Sequence, residues 1–219
     1  MTARNASGQA SGDTFFEKDD KIDPMYWKEL MSMDPLDVCR RSLAAYNETE
    51  RAYELRVLND DLLVYSDQKR VTRVSEPASG NDRPPGFNAV LVSVHYLIRA
   101  KEIPIAREYI TETEVTDGGF FFKGPHALPS WKVEKKFGND AAMFIEKGHL
   151  IGGKPVRFGD AALEFLVLPR VRIAYVLWIS DDEFPARSQI LFDASAEKHF
   201  ALDVLWAMCN LVTNKLLAV

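Results

Sequence analysis

Two apolar runs joined by a proline decide the fold: FGDAALEFLVL covers residues 158–168, and VRIAYVLWIS covers residues 171–180. Continuous runs of this length, rich in β-branched and aromatic residues, favour strands, and the Leu168-Pro169 pair between them marks a turn. Side chains alternate between the two faces of a strand, and both faces of the second run become apolar toward its end. We therefore predict two neighbouring strands, the second of which is buried on both sides.

Further strand signals lie on both sides of this pair. Residues 53–67 contain two extended runs separated by a polar turn, residues 70–74 can extend them, and residues 189–192 form another short strand. Residues 109–116 alternate sharply, and the Asp117-Gly118 pair that follows suits the positive φ angles of a hairpin turn. Hairpins join antiparallel strands, so the pattern indicates antiparallel pairing.

Helical signals fill most of the remaining chain. The Asp34-Pro35 pair is typical of a helix start, and Asn88 is placed to cap a helix that runs to about residue 100. Residues 128–147 have a helical pattern with a break at 138–140, and a long C-terminal helix begins at about Glu197. The predicted fold class is α+β, with a mostly antiparallel sheet built from hairpins and packed with several helices.

Composition limits the classes of protein that fit. The 219 residues carry a formal net charge of -5, which argues against nucleic-acid binding because phosphate recognition needs a basic surface. Cys39 and Cys209 are the two cysteines, which excludes a disulfide framework and a four-cysteine zinc or iron–sulfur site and favours a cytoplasmic location. No run of about 18 apolar residues exists, so we expect no membrane span.

The N-terminal residues differ from the rest of the chain. Residues 1–14 are rich in Ser, Gly, Ala and Asn and contain too little apolar surface to offset the entropy of ordering, so we predict a disordered tail. The loop at residues 75–86 separates regions of similar composition, so it does not require a domain boundary. We therefore predict a single α+β domain over residues 15–219.

An acidic turn is the first candidate site. In SDDEFPARSQILFD, residues 180–193, three consecutive acids follow an apolar run. Hard cations bind carboxylates, but consecutive side chains of an extended segment point to opposite faces, which leaves Asp181 and Glu183 together and Asp182 apart. We favour a charged turn between two strands, with Asp193 available to start the final helix; a ligand or metal site is the alternative. The arginines expected to neutralise these acids are Arg170, Arg172 and Arg187.

The second candidate site is His126, which lies in the stiff segment GPHALP. Rigid loops often carry functional imidazoles, and several aromatic residues, Trp131 among them, lie close to this one in sequence. We favour a surface histidine that donates a hydrogen bond to a nearby carbonyl. The alternative is an apolar pocket or partner surface with His126 at its rim. No His-x-His or His-Glu-x-x-His spacing supports a zinc site.

Two stretches resemble a known family. GGFFFKGPHALP (residues 118–129) and GDAALEFLVLPRVRIAYVLWISDDEFPARSQILFDASAEKHFALDVL (residues 159–205) resemble the domain of unknown function 3786, and the similarity extends over about residues 35–217. The resemblance implies a setting in anaerobic bacteria and archaea and a link to anaerobic redox or corrinoid-type metabolism. Some relatives carry an N-terminal cysteine-rich iron–sulfur motif, whereas here no cysteine precedes Cys39, so we expect no such cluster. The family brings no established activity and no assigned catalytic residue.

These observations lead to three hypotheses of function. The first is a non-catalytic accessory domain that binds a small ligand, a cofactor or a partner protein. Its candidate ligand-binding residues are His126, Trp131, Asp181 and Glu183. The second is a metal-dependent enzyme, a hydrolase or cofactor-modifying enzyme, that uses His126 and the Asp181–Glu183 turn. The third is a structural interaction module of a redox complex. The residues specify neither the cofactor nor the oligomeric state.

Overall fold

The computed structural model describes residues 22–74 and 84–219, so the predicted disordered tail lies outside the described residues. The described strands are β1 (Ala45–Asn47), β2 (Ala52–Val57), β3 (Asp60–Tyr65), β4 (Arg70–Arg73), β5 (Tyr109–Ile110), β6 (Lys154–Pro155), β7 (Ala161–Leu168), β8 (Val171–Trp178) and β9 (Arg187–Asp193). The described α-helices are α1 (Pro24–Ser32), α2 (Pro35–Ser42), α3 (Phe87–Arg99), α4 (Gly118–Phe121), α5 (Ser130–Phe137), α6 (Ala141–Leu150) and α7 (Leu202–Ala218). None of these helices has the length and apolar character needed to span a bilayer.

The strands form two antiparallel sheets. The first has the order β1-β2-β3-β4, in which each strand pairs with the next along the chain. The second has the order β5-β9-β8-β7-β6, and in its centre Phe165 lies opposite Ile173, which in turn lies opposite Phe192. The predicted α+β class with antiparallel hairpins and a long C-terminal helix is confirmed, with the strands divided between two sheets. That residues 15–219 form one domain stays a prediction.

The main core lies between the second sheet and the helices. Helix α7 packs against α3, α5 and α6, and β8 supplies buried side chains on both of its faces, as its apolar pattern predicts. Tyr175 lies edge-on to Phe165 with ring centroids 5.6 Å apart, and its hydroxyl donates to the Cys209 carbonyl at 2.9 Å. Full burial of a large side chain contributes roughly 1.5–3 kcal/mol, so this contact between β8 and α7 is a substantial part of the core.

The turn between β2 and β3 is fixed to the rest of the molecule. The Leu58 N–H donates to the Val167 carbonyl at 2.9 Å, which links the first sheet to β7 of the second. The Asn59 side-chain amide donates to the Leu150 carbonyl at 2.8 Å, at the end of α6. These bonds hold the neighbouring Asp60 against the C-terminal half of α7, where it becomes part of the candidate site.

Two helix starts test the capping predictions. Asp34 accepts a hydrogen bond from the Leu36 N–H at 3.2 Å and precedes Pro35, so the predicted start of α2 is confirmed. Helix α3 begins at Phe87 with Gly86 as its N-cap, and Asn88 lies inside the first turn. The predicted N-cap at Asn88 is therefore wrong by two residues, because α3 starts before the polar side chain of Asn88.

The predicted hairpin around Asp117-Gly118 is wrong. Only Tyr109–Ile110 is a strand, and Gly118–Phe121 is a short helix. Glu114 accepts hydrogen bonds at 2.8 Å from both the backbone N–H and the hydroxyl of Thr111, and these local bonds close a turn in place of a strand ladder. The Thr-x-x-Glu spacing is that of a capping box, and it outweighs the alternating pattern of the segment.

Asp193 does not start the final helix. A 3-10 turn at Ala196–Lys198 comes first, and α7 begins at Leu202, five residues after the predicted start. The buried Asp193 carboxylate instead accepts hydrogen bonds from the backbone N–H groups of Ala106 and Arg107 at 2.9 and 2.8 Å. The carboxylate thus fixes the loop that leads into β5.

Candidate functional site

His126 lies at the end of the 3-10 turn Gly124–His126, on the surface of the molecule. Gly124 has φ 56°, a conformation that favours glycine, and Pro125 stiffens the next position. The imidazole stacks on Phe121 of α4 with ring centroids 4.6 Å apart and lies edge-on to Trp206 of α7 at 5.9 Å. The described side-chain contacts of His126 are therefore aromatic, whereas we expected a hydrogen bond to a carbonyl.

Trp206 fixes this turn from the side of α7. Its indole N–H donates to the Ala127 carbonyl at 3.2 Å, next to His126 in the chain. The bond ties the turn to a long helix that is anchored in the core. The position of the imidazole is therefore set by α4 and α7 rather than by the turn alone.

A cavity of about 830 Å³ lies beside His126. It is bounded by the first sheet, the start of α3, the 3-10 turn, Lys132 of α5, and α7 from Trp206 to Lys215. Its apolar wall is formed by Val57, Leu58, Leu62, Phe87, Trp206 and Leu211. Three side-chain amides also line it, those of Asn88, Asn210 and Asn214. The volume and the mixture of apolar wall and few polar groups are those of small-molecule sites.

Charged side chains also line the cavity. The Lys215 ammonium lies 2.8 Å from the Asp60 carboxylate and donates to the Asn59 side-chain oxygen at 2.7 Å. Arg73 contacts the same carboxylate at 3.3 Å, and Lys132 of α5 also lines the cavity. Burial lowers the pKa of Lys215, and the hydrogen bond to Asp60 opposes that shift. Lys215 is thus a largely buried cation, and the Asp60 carboxylate that pairs with it also contacts Arg73.

The acidic turn has a different environment. The Asp181 carboxylate accepts hydrogen bonds from the N–H groups of Glu183 and Phe184 at 2.9 and 2.7 Å, and these bonds lower the pKa of Asp181. The Ser180 N–H donates to the Gly138 carbonyl at 2.9 Å, so the turn is attached near the end of α5. Asp181 and Glu183 do not belong to the described wall of the His126 cavity. The contacts within the turn are those of a structural turn.

The predicted arginine partners of this turn are wrong. Arg170 donates to the carbonyls of Arg41 and Ile103 at 2.8 and 3.1 Å. The other two partners lie on neighbouring strands: Arg172 pairs with Glu164 at 2.6 Å, and the Arg187 guanidinium lies 4.2 Å from the Trp178 ring centroid. Arg172 and Arg187 therefore contact residues on neighbouring strands rather than the acids of the turn that are close to them in sequence.

Trp131 lies outside the cavity as well. It is the second residue of α5, with 52% of its surface exposed, and the Lys132 ammonium is 5.7 Å from its ring centroid. The cavity wall includes Lys132 but not Trp131. Across residues 22–74 and 84–219, no three His, Cys, Asp or Glu side chains are grouped so that they could hold a metal ion.

Comparison with family models assigns most of the chain to one protein family. The model of the domain of unknown function DUF3786 matches residues 34–215, which spans the fold from α2 to the last turns of α7. The chain belongs to the DUF3786 family. Searches of curated proteins and of solved structures gave no match. The match includes His126 and the charged cavity residues, so the cavity belongs to the DUF3786 domain itself.

In this DUF3786 domain, the sequence patterns predict a role for His126 but not for the charged residues that line the same cavity. Asp60 directly follows a hairpin turn as the first residue of β3, where an acid is ordinary, and Lys215 lies near the end of a helix, where a lysine is ordinary. The two residues are far apart in sequence and meet only because the β2–β3 turn is fixed against α7. Within the chain, the available signal was Lys215, the one cationic side chain on a mostly apolar helix.

A buried histidine lies in a second, smaller cavity of about 380 Å³ near the start of α7. His199 accepts a hydrogen bond on Nδ1 from the Lys101 N–H at 3.1 Å, so the neutral ring carries its proton on Nε2. Burial lowers the pKa of His199 to about 4, and the positive charges of Arg170 and Lys101 add to the effect. The native state therefore keeps this ring neutral under mildly acidic conditions.

We expect this histidine to make the domain less stable as the pH falls from about 6.5 to about 4. The unfolded chain binds the proton first, so the free energy of unfolding should fall by about 2 kcal/mol across that window. His199→Asn keeps an acceptor for the Lys101 N–H but cannot titrate, so its pH dependence should be shallower by that amount. Urea unfolding at a series of pH values measures both; equal slopes would contradict the assignment.

Proposed function

We propose that this DUF3786 domain is a non-catalytic binding domain that holds a small organic ligand in the cavity beside His126. The observation that carries the proposal is the cavity itself, about 830 Å³ in volume, with an apolar wall and a few polar groups at fixed positions. Cavities of this size bury most of the surface of a small cofactor or metabolite.

The rigidity of the rim supports this proposal. Phe121 stacks on His126, and the Trp206 indole donates to the neighbouring Ala127 carbonyl. A rim that is already fixed loses little conformational entropy when a ligand binds, which favours affinity. The described contacts of His126 also differ from those of a general base, which is oriented by a carboxylate or carbonyl. A binding role therefore fits this imidazole better than a catalytic one.

We further propose that the domain acts in anaerobic redox or corrinoid-type metabolism. The family resemblance implies anaerobic redox or corrinoid-type metabolism, so a redox cofactor or a corrinoid is among the ligands to be tested. We also propose that the domain acts in the cytoplasm as an accessory protein. Trp131, Asp181 and Glu183 stay candidate contacts for a partner or ligand at a place separate from the cavity.

Filling the cavity tests the proposal. Leu211→Trp adds volume to the cavity wall without changing charge, and Leu150→Trp is the matched control because Leu150 is exposed and outside the wall. We expect the neutral fluorescent probe phenylnaphthylamine to bind the wild type at a single site. Leu211→Trp should weaken that binding by at least about tenfold, and Leu150→Trp should leave it unchanged.

The readout is the fluorescence of the probe, titrated with protein. Binding that Leu211→Trp leaves intact, or no saturable binding by the wild type, contradicts the proposal. Flavin mononucleotide and cobinamide, added as competitors, test the metabolic context separately from the cavity. Displacement by either supports that context, and failure of both contradicts it while leaving the binding role in place.

A further inference from the structure

We propose that the Lys215 amine binds the ligand of the cavity beside His126 covalently, as an imine, and that this ligand is an aldehyde with an apolar body. The inference rests on the proposed binding function and adds the chemical class of the ligand and the way in which it is held. It follows from three features of Lys215: its place on the cavity wall, the partners of its ammonium group and the apolar side chains next to it.

The partners of Lys215 leave one position of its nitrogen free. The ammonium donates to the Asn59 side-chain oxygen at 2.7 Å and lies 2.8 Å from the Asp60 carboxylate. Among the described residues, the third hydrogen of the ammonium has no acceptor. In the neutral amine, Asn59 and Asp60 accept both N–H bonds, so the lone pair, which is the nucleophilic site, stays unpaired.

Apolar side chains border this lysine–aspartate pair on both elements. In α7, Leu211 precedes Lys215 by four residues, a spacing that places two side chains on the same face of a helix. In β3, Leu62 follows Asp60 by two residues, so these side chains share a face of the strand. All four residues line the cavity. A lysine that is desolvated in an apolar pocket is activated as a nucleophile toward carbonyl groups.

Burial favours the neutral amine that the reaction needs. The Lys215 side chain is 22% exposed, and burial lowers the pKa of Lys215, whereas the hydrogen bond to Asp60 opposes that shift. A lysine in water has a pKa of about 10.4 and is almost wholly protonated near neutral pH. Lys215 therefore has a larger fraction of reactive amine than a lysine with this ordinary pKa.

The reaction needs no oxidant or reductant. Asp60 takes a proton from the Lys215 ammonium, and the free amine attacks the aldehyde carbon, so a C–N bond forms while an electron pair of the C=O bond moves to oxygen. A proton then moves from nitrogen to that oxygen, and the resulting hydroxyl leaves as water with the proton that Asp60 returns. The product is a protonated imine beside the Asp60 carboxylate, with one water released. The apolar wall limits the access of water that would reverse the step.

Two ligands that differ only in the carbonyl group test the inference. Naphthaldehyde and naphthylmethanol have the same aromatic body, and only the aldehyde forms an imine. We expect the aldehyde to displace phenylnaphthylamine from the wild type at least about tenfold more effectively than the alcohol. Lys215→Arg keeps a cation beside Asp60 but cannot form an imine, so the two ligands should compete equally there. Lys154→Arg, the same change at an exposed residue of β6, is the matched control and should keep the preference.

Reductive trapping identifies the residue that reacts. Borohydride reduces an imine to a stable amine, and peptide mass spectrometry then measures the labelled fraction of each lysine. With equimolar naphthaldehyde at about pH 7, we expect Lys215 to be labelled at least about tenfold more than Lys154. The difference should shrink toward about pH 10, where exposed lysines also become neutral. Leu211→Trp should remove the labelling of Lys215 because it fills the cavity one helical turn away.

The outcomes separate this inference from the proposed function. Labelling spread evenly over the exposed lysines, with equal competition by the aldehyde and the alcohol, would overturn the imine and leave the binding function in place. Labelling of Lys215 and binding of phenylnaphthylamine that are both insensitive to Leu211→Trp would overturn both. The competition and the labelling of the wild type stand even if Lys215→Arg does not fold.

Discussion

Asp193→Ala should lower the free energy of unfolding by about 3 kcal/mol. Asp193 is fully buried at the end of β9, and its carboxylate accepts hydrogen bonds from the Ala106, Arg107 and Ser195 N–H groups at 2.9, 2.8 and 3.0 Å. Alanine leaves these donors without their acceptor and opens a polar cavity. Arg107 also has φ 63°, so the loop adopts a strained conformation that the carboxylate holds in place.

Urea unfolding followed by circular dichroism measures this loss. Asp193→Asn is the matched control because it keeps the size of the side chain and one acceptor oxygen, and it should lose about half as much stability. A loss below about 1 kcal/mol for Asp193→Ala would show that water replaces the carboxylate at the 106–107 loop.

Gly118→Ala should also destabilise the domain by about 3 kcal/mol. A Cβ atom on Gly118 would lie 2.2 Å from the Glu112 carbonyl oxygen and 2.9 Å from the Val115 Cβ atom. The carbonyl belongs to the turn that Thr111 and Glu114 close, so it cannot move without opening that turn. The variant should also bind phenylnaphthylamine more weakly, because α4 carries the Phe121 ring that stacks on His126.

The neighbouring glycine supplies the control. A Cβ atom on Gly119 would meet Thr113 atoms at 3.7 and 3.8 Å, which is ordinary contact. Gly119→Ala should therefore change stability by no more than about 0.5 kcal/mol. Thermal and urea unfolding of both variants measure the difference. Equal stability of Gly118→Ala and Gly119→Ala would contradict the close approach at Gly118.

Local patterns predicted the elements whose partners are close in sequence. The β2–β3 hairpin and the β7–β8 pair are joined by short turns, and the break between α5 and α6 falls at the predicted residues 138–140. Apolar periodicity identifies such elements because it reflects which face is buried. The strand prediction for residues 109–118 was wrong because the alternating residues also contain a Thr-x-x-Glu turn. The local hydrogen bonds of that turn form in place of the hydrogen bonds between paired strands.

The candidate site was predictable only in part. The stiff loop singled out His126, which does line the cavity, but its aromatic contact Trp206 is distant in sequence. The Lys215–Asp60 pair joins a helix to a hairpin turn, and no spacing rule connects them. The acidic turn stood out as a run of charges, yet the Asp181 carboxylate binds the backbone of its own turn. Long-range packing, which sequence patterns do not encode, decides which of these groups meet.

The spacing of two residues along α7 sets a length for any ligand that uses both ends of the cavity. Trp206 and Lys215 are nine residues apart, and an α-helix rises about 1.5 Å per residue, so their backbones are separated by about 13 Å along the helix axis. If the proposed ligand contacts both residues, it lies along more than two turns of α7, and the spacing of the two residues then favours molecules long enough to do so.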